Sequence, residues 1–304
     1  MTDEPLSLLL EDGPLLAVNK PPGLLTVGAI PGVPTLERQV KEFLRNKFQK
    51  PGNVYLGIPH RLDRPVSGVV VFARNSKCAA RLAEQFRDRT VTKTYWALVP
   101  SAGLPAEGEW TDWLLKEPDE ASVRVVAPGT AGAREARLRF RTVATFDAGV
   151  PSGAPGALME IQLDTGRMHQ IRVQFASRGW PVWGDVQYGS QVPFGPPADE
   201  APALPEPTQP VDAPHDAASL EPASGEAGSW EAGSAGSVSE DSDGGDSANE
   251  PAALPDRRSA PIALHARQLV LKHPIRYDTV TLQAPLPPCW HPSLAQLPPE
   301  LVTG

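Results

Sequence analysis

The run His60-Arg61-Leu62-Asp63-Arg64-Pro65-Val66-Ser67-Gly68 leads without a break into Val69-Val70-Val71-Phe72-Ala73. The five apolar residues read as a buried strand. Ahead of it, Pro65 and Gly68 tighten a loop that carries one acid between two arginines. Nearby positive charge favours the charged form of a carboxylate, and a loop anchored by a buried strand can aim it. Taken alone, such a run also reads as a surface ion-pair loop feeding a core strand. The rest of the chain decides between the two.

Upstream, residues 15–20 (Leu-Leu-Ala-Val-Asn-Lys) read as a short buried strand, and Pro21-Pro22-Gly23 forces a turn. Chemistry alone makes Lys20 an exposed residue at that turn, with a phosphate contact as its second reading. Residues 34–48 space Leu36, Val40, Phe43, Leu44 and Phe48 along one face of a helix, with Thr35 as cap. Arg45, Lys47 and Lys50 near its end suit the helix dipole and a solvated face. Downstream, residues 76–89 predict a second helix, capped by Ser76 and apolar at Ala80, Leu82, Ala83 and Phe86. Residues 91–99 are β-branched and aromatic, hence a strand, and they carry Tyr95. Alternating runs at 110–115, 122–126 and 136–146, joined by Gly/Pro/Asp turns, predict an antiparallel meander, followed by a strand at 157–163.

That last strand feeds residues 165–177, where Met168, Ile171, Phe175 and Ala176 have helical spacing. Arg167, His169 and Gln170 dress its N-terminal end, an arrangement suited to an anion or a base edge. Trp180 and Trp183 read as wall packing ahead of stacking surfaces. Strands are expected again at 262–271 and 279–282, with His265 and His273 in hydrogen-bonded structural roles.

The net charge of −8 over 304 residues is misleading. Residues 191–260 hold 14 Asp/Glu against 2 Arg, a net of −12, which leaves 26 basic and 22 acidic residues, a net of +4, elsewhere. The remainder is mildly basic, which permits a nucleic-acid partner. The 191–260 stretch is rich in Pro, Ala, Gly, Ser, Asp and Glu, with Phe194 and Trp230 its only aromatics. Such a composition is expected to be disordered, as a solvating spacer ahead of an acidic tail or RNA mimic, and to interrupt one domain rather than separate two. Cys78 and Cys289 have no Cys or His cluster beside them, so neither a disulfide framework nor a metal site is expected. No apolar run approaches the ~18 residues of a membrane span. The acidic N-terminus lacks the pattern of a signal peptide, so a cytoplasmic location is expected.

With these segments in place, HRLDRPVSGVVVFAR resembles the signature H-R-L-D-x-x-T-S-G of the RluA-type pseudouridine synthases, with Val66 for Thr. LLAVNKPPGLLT is similar to the family's V-x-N-K-P-x-G opening, and Lys93, Tyr95 and Ala97 fit its K-x-Y-x-A segment. Residues 166–174 resemble G-R-T-H-Q-I-R-V-H, with Met168 for Thr and Gln174 for His. Residues 179–189 match G-x-P-[IV]-x-G-D-x-x-Y-G, and 262–288 the closing L-H-A…H-P…APLP segment.

The resemblance implies an α+β fold: a mixed, mainly antiparallel bent sheet with flanking helices and a central catalytic cleft. One catalytic domain would comprise 1–190 and 261–290, with a tail at 291–304 and no room for an S4-type RNA-binding domain. The implied activity is isomerisation of specific uridines in tRNA or rRNA. It implies Asp63 as the essential acid, Arg172 as the arginine that orients Asp63 through a bidentate contact, and Tyr95 as the residue that stacks on the target ring and later removes the C5 proton. Arg61 would help extrude the nucleotide. Arg61, Arg167, Lys20 and Lys93 would neutralise phosphates, and Arg64, His169 and Gln170 complete the expected substrate-binding set. Reactant and product are isomers, so neither a cofactor nor a metal is expected. RNA is the expected partner of a monomer, without a membrane. Two other readings are a non-catalytic RNA-binding protein that keeps the fold, and a hydrolase that pairs Asp63 with Asp185.

Overall fold

The computed structural model describes residues 6–28, 33–118, 120–147, 154–195 and 260–294. The strand read from the Val-rich run is β3 (Ser67–Ala73), buried along its whole length. It pairs antiparallel with β2 (Leu15–Lys20), whose other edge carries β1 (Leu8–Asp12). Side chains of β2 and β3 alternate between two apolar layers. Leu16, Val18, Val70 and Phe72 join the layer that holds Leu36, Val40 and Leu44 of α1 (Leu36–Lys47). Leu15, Ala17, Val69 and Val71 join the layer that holds Cys78 and Leu82 of α2 (Ser76–Arg87). Both faces are covered, which is why the sequence is apolar without alternation. Thr35 caps α1 as expected. The cap of α2 is Asn75 rather than Ser76, because its side-chain oxygen accepts from the Cys78 amide.

The chain continues through β4 (Thr92–Pro100), β5 (Glu107–Lys116), β6 (Val123–Val126), β7 (Arg134–Phe146) and β8 (Gly156–Leu163). A short helix, α3 (Gln170–Ala176), precedes the closing strands β9 (Leu264–Lys272) and β10 (Thr279–Gln283). Among the described residues one ten-stranded sheet forms, in the order β1-β2-β3-β9-β4-β8-β7-β5-β6, with β10 beside β9. Its pairings are antiparallel except one: β3 meets β9 in parallel over two residue pairs, Ser67 with His265 and Gly68 with Ala266. The fold is therefore the mixed, mainly antiparallel α+β class expected.

This seam locates everything that follows. Gly68 has φ 118°, and a Cβ there would lie 2.3 Å from the Ala266 carbonyl oxygen, so only glycine lets the strands meet. Across the seam His265 Nδ1 lies 2.8 Å from the Ser67 hydroxyl and its Nε2 lies 3.2 Å from the Ala284 carbonyl. The expected structural role of His265 is met. His273, buried as well, accepts from the Ile275 and Arg276 amides.

Two boundaries move. The chain stays packed beyond residue 190, with the Gly184 amide donating to Val192 and Phe194 set edge-on against buried Trp290. The C-terminal tail expected from 291 starts with the helical turn α4 (His291–Leu294), whose Ser293 and Leu294 are buried. Most of the acidic stretch, 196–259, and residues 295–304 lie outside the described residues. No helix among the described residues is long and apolar enough to cross a membrane.

Candidate active site

The loop ahead of the seam is clamped by the turn after β2. Thr26, buried, accepts from the Leu62 amide and donates to the Leu62 carbonyl. The Gly23 amide donates to the Arg64 carbonyl at 2.8 Å. Lys20 is fully buried, and its ammonium donates to the carbonyls of Pro21, Leu24 and Arg64 at 2.9, 2.7 and 3.1 Å. Burial pulls its pKa down to about 7, against the pull of the Asp63 charge. The exposed Lys20 read from the sequence is thus corrected. Its three protons are taken by backbone, so it braces the Asp63 loop and has none left for a phosphate. His60 is a second brace, accepting from the Val71 amide through Nε2 and stacking on Phe86 at 4.5 Å.

Asp63 stands on this loop with its side chain 28% exposed, on the wall of a cleft of about 500 Å³. Tyr95, Lys93, Arg167, His169 and Arg172 line the same cleft. Arg172 projects from α3, whose Ile171 and Phe175 are anchored in the main core and whose Val173 packs on Leu114, Val123 and Ala136. Arg172 Nη1 lies 3.6 Å from Asp63 Oδ2. Its bidentate partner is a different acid: Nε and Nη2 bind Asp185 Oδ2 and Oδ1 at 2.6 and 2.9 Å, and Nη2 also reaches Gln187 Oε1 at 2.9 Å. The side chains of Arg172 and Asp185 are 4% and 0% exposed. Burial works against the guanidinium charge, and Asp185, together with Asp63 and Tyr188, more than offsets it. The expected bidentate hold on Asp63 is therefore corrected to a single, longer approach by a guanidinium already fixed elsewhere. The same pair removes the hydrolase reading, since Asp185 is sealed from the cleft and both its oxygens are taken.

His169 caps α3 in a left-handed conformation, φ 51°. Its Nε2 lies 3.7 Å from Asp63 Oδ2. Tyr95 is half-buried; burial first, and then the Asp63 charge, push its hydroxyl above the ordinary tyrosine range. Burial lowers Lys93, and Arg89 adds to that. Arg89 is exposed on the cleft rim after α2, its backbone left-handed at φ 59°, and its charge also acts on Arg167.

Of the expected contacts, Arg61 is exposed at the rim, and Arg167 lines the cleft with its Nε bound to the Glu135 carbonyl. Gln170 lines the cleft as well, but it is buried, with its amide oxygen accepting from Thr165 Oγ1 and the Arg167 amide and its nitrogen donating to the Arg137 carbonyl, so it also shapes the 165–170 turn. Arg64 is corrected: its Nε donates to the Gly23 carbonyl at 3.0 Å, and the residue is not part of the cleft wall. Trp183 is buried against Phe146, and Trp180 stacks on Trp110 while donating to the Ala102 carbonyl, so both are wall residues as read. Sequence reasoning missed Tyr188, Arg89 and Thr26, and it named Asp185 only as the second acid of a hydrolase, not as the counter-charge of Arg172. Only Asp185 and Tyr188 carried a signal, their places in the 179–189 motif.

A family model described as RNA pseudouridylate synthase matches residues 14–177. Among similar proteins, tRNA pseudouridine synthase C of Vibrio cholerae is 32% identical over 191 residues, covering 62% of this chain and 75% of the relative. Ribosomal large subunit pseudouridine synthase D of Nitrosomonas europaea is 33% identical over 203 residues, covering 66% of this chain and 55% of the relative. Among solved structures, human RNA pseudouridylate synthase domain containing 4 superposes with a TM-score of 0.60 at 21% identity, over 96% of this chain and 92% of that one. The last comparison speaks for the fold alone.

Proposed function

The chain belongs to the RluA-type RNA pseudouridine synthases, isomerases that act on RNA, and from that premise we propose that it converts specific uridines of tRNA or rRNA with Asp63 as the essential group. The observation that carries this reading is the meeting, in one cleft, of a partly exposed carboxylate, a guanidinium 3.6 Å from it and a half-buried tyrosine. The reaction breaks the bond between ribose C1′ and N1, turns the ring and joins it through C5, whose proton leaves. A carboxylate at Asp63 acts on the sugar or the base as nucleophile or base. Arg172 holds it at the cleft wall. Fixed by Asp185 and Gln187, it needs no reorganisation when charge moves.

Tyr95 gives the extruded ring an aromatic face. Its raised pKa makes it a phenol in the free enzyme. It therefore serves first as a platform, and it takes the C5 proton only as its own hydroxyl proton passes to water in the cleft, a transfer that burial and the Asp63 charge both oppose while that charge persists. Arg61 at the rim assists extrusion, which costs a few kcal/mol. Arg61, Lys93 and Arg167 face the RNA backbone, and Arg89 belongs with them.

The test is tritium release from RNA labelled at uridine C5, with RNA from cells lacking the protein. Asp63→Asn is expected to fold normally and to release no tritium above background. Release at the wild-type rate would remove Asp63 from the role. Mapping pseudouridine in the same RNA, with and without added enzyme, identifies whether a tRNA or an rRNA carries the target.

A further inference from the structure

Tyr188 lies outside the cleft wall, yet it touches both groups that approach Asp63 from α3. Its hydroxyl is 2.8 Å from His169 Nδ1, and its ring face carries the Arg172 guanidinium at 4.9 Å. The hydroxyl oxygen also accepts from the Val123 amide at 3.1 Å, which ties it to β6. We infer that Tyr188 is a positioning residue for the isomerisation: its hydroxyl donates to His169 Nδ1 and so keeps the ring's proton on Nε2, aimed at the Asp63 carboxylate. The inference rests on Asp63 being the reacting acid.

The direction of the hydrogen bonds follows by elimination. A tyrosine hydroxyl has one proton and can accept as well. Val123 N–H can only donate, so it uses a lone pair of the oxygen and leaves the hydroxyl proton for His169. The opposite tautomer, with the proton on Nδ1, would give the tyrosine oxygen two donors and leave its own proton unused. It would also turn the Nε2 lone pair toward Asp63 Oδ2 at 3.7 Å, acceptor against acceptor. With the proton on Nε2, Asp63 Oδ2 faces two N–H groups from one helix start, His169 at 3.7 Å and Arg172 at 3.6 Å. Both are longer than a direct hydrogen bond, so a shift of under an ångström as substrate enters closes them onto the oxygen.

Two further observations agree. His169 holds a left-handed backbone with no side-chain capping bond at α3, a conformation uncommon outside glycine, to which histidine is better suited than most residues. The ring it presents meets Tyr188 perpendicular, 5.6 Å between centroids. The groups facing His169 are Asp63 and Asp185, which favour its charged form, and Arg172 and Arg61, which oppose it. Burial outweighs them all and lowers its pKa, so the ring is neutral at pH 7 and its tautomer is a real variable. Burial also pushes Tyr188 up to about 12, which keeps its proton available over the working range.

The test combines nitrogen NMR of ¹⁵N-histidine-labelled protein with steady-state kinetics on Tyr188→Phe, which keeps the ring under Arg172. In the wild type, His169 is expected in the Nε2–H form. In Tyr188→Phe a mixture of both tautomers is expected, with kcat down about tenfold and KM within twofold. The acid limb of kcat should move to higher pH, because a donor to Nδ1 supports the neutral ring and its loss eases protonation. An Nδ1–H tautomer in the wild type overturns the inference, and this measurement needs no variant to fold. A Tyr188→Phe enzyme with wild-type kcat, pH profile and tautomer overturns it as well. The spectra do not depend on turnover, so a failure of the Asp63 assignment shows separately, as activity in Asp63→Asn.

Discussion

Replacing Asp185 with Asn probes how the carboxylate proposed to react, Asp63, is held. The substitution is isosteric and leaves no cavity, but it removes one of two buried charges. Arg172 then keeps Gln187 Oε1 at 2.9 Å and the 3.6 Å approach to Asp63, and loses its paired hydrogen bonds of 2.6 and 2.9 Å to a charged partner. Breaking a buried pair by removing one partner costs about 3–5 kcal/mol, because the remaining charge stays desolvated. In a folded unit of this size each kcal/mol lowers Tm by about 2–4 °C, so a fall of about 6–20 °C is expected by circular dichroism. The guanidinium, no longer fixed, can also swing toward Asp63 and draw it out of line. A displacement near 1 Å at a reacting group costs about a hundredfold in rate. Tritium release at a temperature where the variant is folded should therefore show kcat down about a hundredfold. A Tm within about 2 °C of wild type together with an unchanged kcat would refute the view that Asp185 sets Arg172 and Arg172 sets Asp63.

Lys20→Met should leave global stability within about 2 kcal/mol. Relief of burying an amine whose pKa has fallen from 10.5 to about 7 offsets the loss of the donor to the Pro21 and Leu24 carbonyls, at about 1–3 kcal/mol each. Tritium release should still fall at least tenfold, because the Asp63 loop loses its brace; wild-type turnover would return Lys20 to a passive role. Arg89→Gln should raise KM for RNA and reduce the slope of log affinity against log salt by about one, checked by filter binding between 50 and 200 mM salt as a general range for such assays. For acid stability, burial holds buried His265 down to about 4, against 6.5 unfolded. The unfolded chain then binds more protons below pH 6.5, so stability is full above that value and is lost as pH falls toward 4. The loss is about 2 kcal/mol by pH 5 from this residue alone. His60, lowered by burial to about 3, adds in the same direction. Urea titrations at pH 7 and 5 measure the difference, and His265→Gln should flatten it.

The parts of the fold that could be read from the sequence are those whose periodicity is local. Strand β2 falls on residues 15–20 as read, and α1 follows the spacing of Leu36, Val40 and Leu44. β5 to β7 follow the alternation that comes from one covered face, whereas β8 is buried from Gly156 through Met159 without alternating. β1 went unread because its residues, LLLED, are only half-buried at a sheet edge and show no alternation. The two-pair parallel seam between β3 and β9 could not be read either, since nothing local to Ser67 or Gly68 specifies a partner almost two hundred residues away. The left-handed glycine there became intelligible only with the Ala266 carbonyl in place.

The site shows the same division at the level of charge. That Asp63, Tyr95 and Arg172 share a cleft was implied by motif resemblance, and the fold brings them together. Which charge pairs with which was not legible, because pairing depends on burial. In the sequence Asp63 has Arg61 and Arg64 as neighbours, yet Arg61 stays at the rim and Arg64 binds a backbone carbonyl. Asp185, with no cationic neighbour in sequence, takes the guanidinium in full. The difference follows from desolvation. A buried arginine is best matched by an equally buried counter-charge, and a carboxylate that has to meet substrate suits that place poorly, because two short charge-assisted hydrogen bonds lower its basicity and hold it against the guanidinium. Giving the bidentate contact to Asp185 keeps Arg172 charged and fixed while leaving Asp63 approached but not consumed. Lys20, spent on three carbonyls, does the corresponding work for the loop on the other side. Residues that look like ligands in the sequence become the frame, and the acid they frame stays open to the cleft.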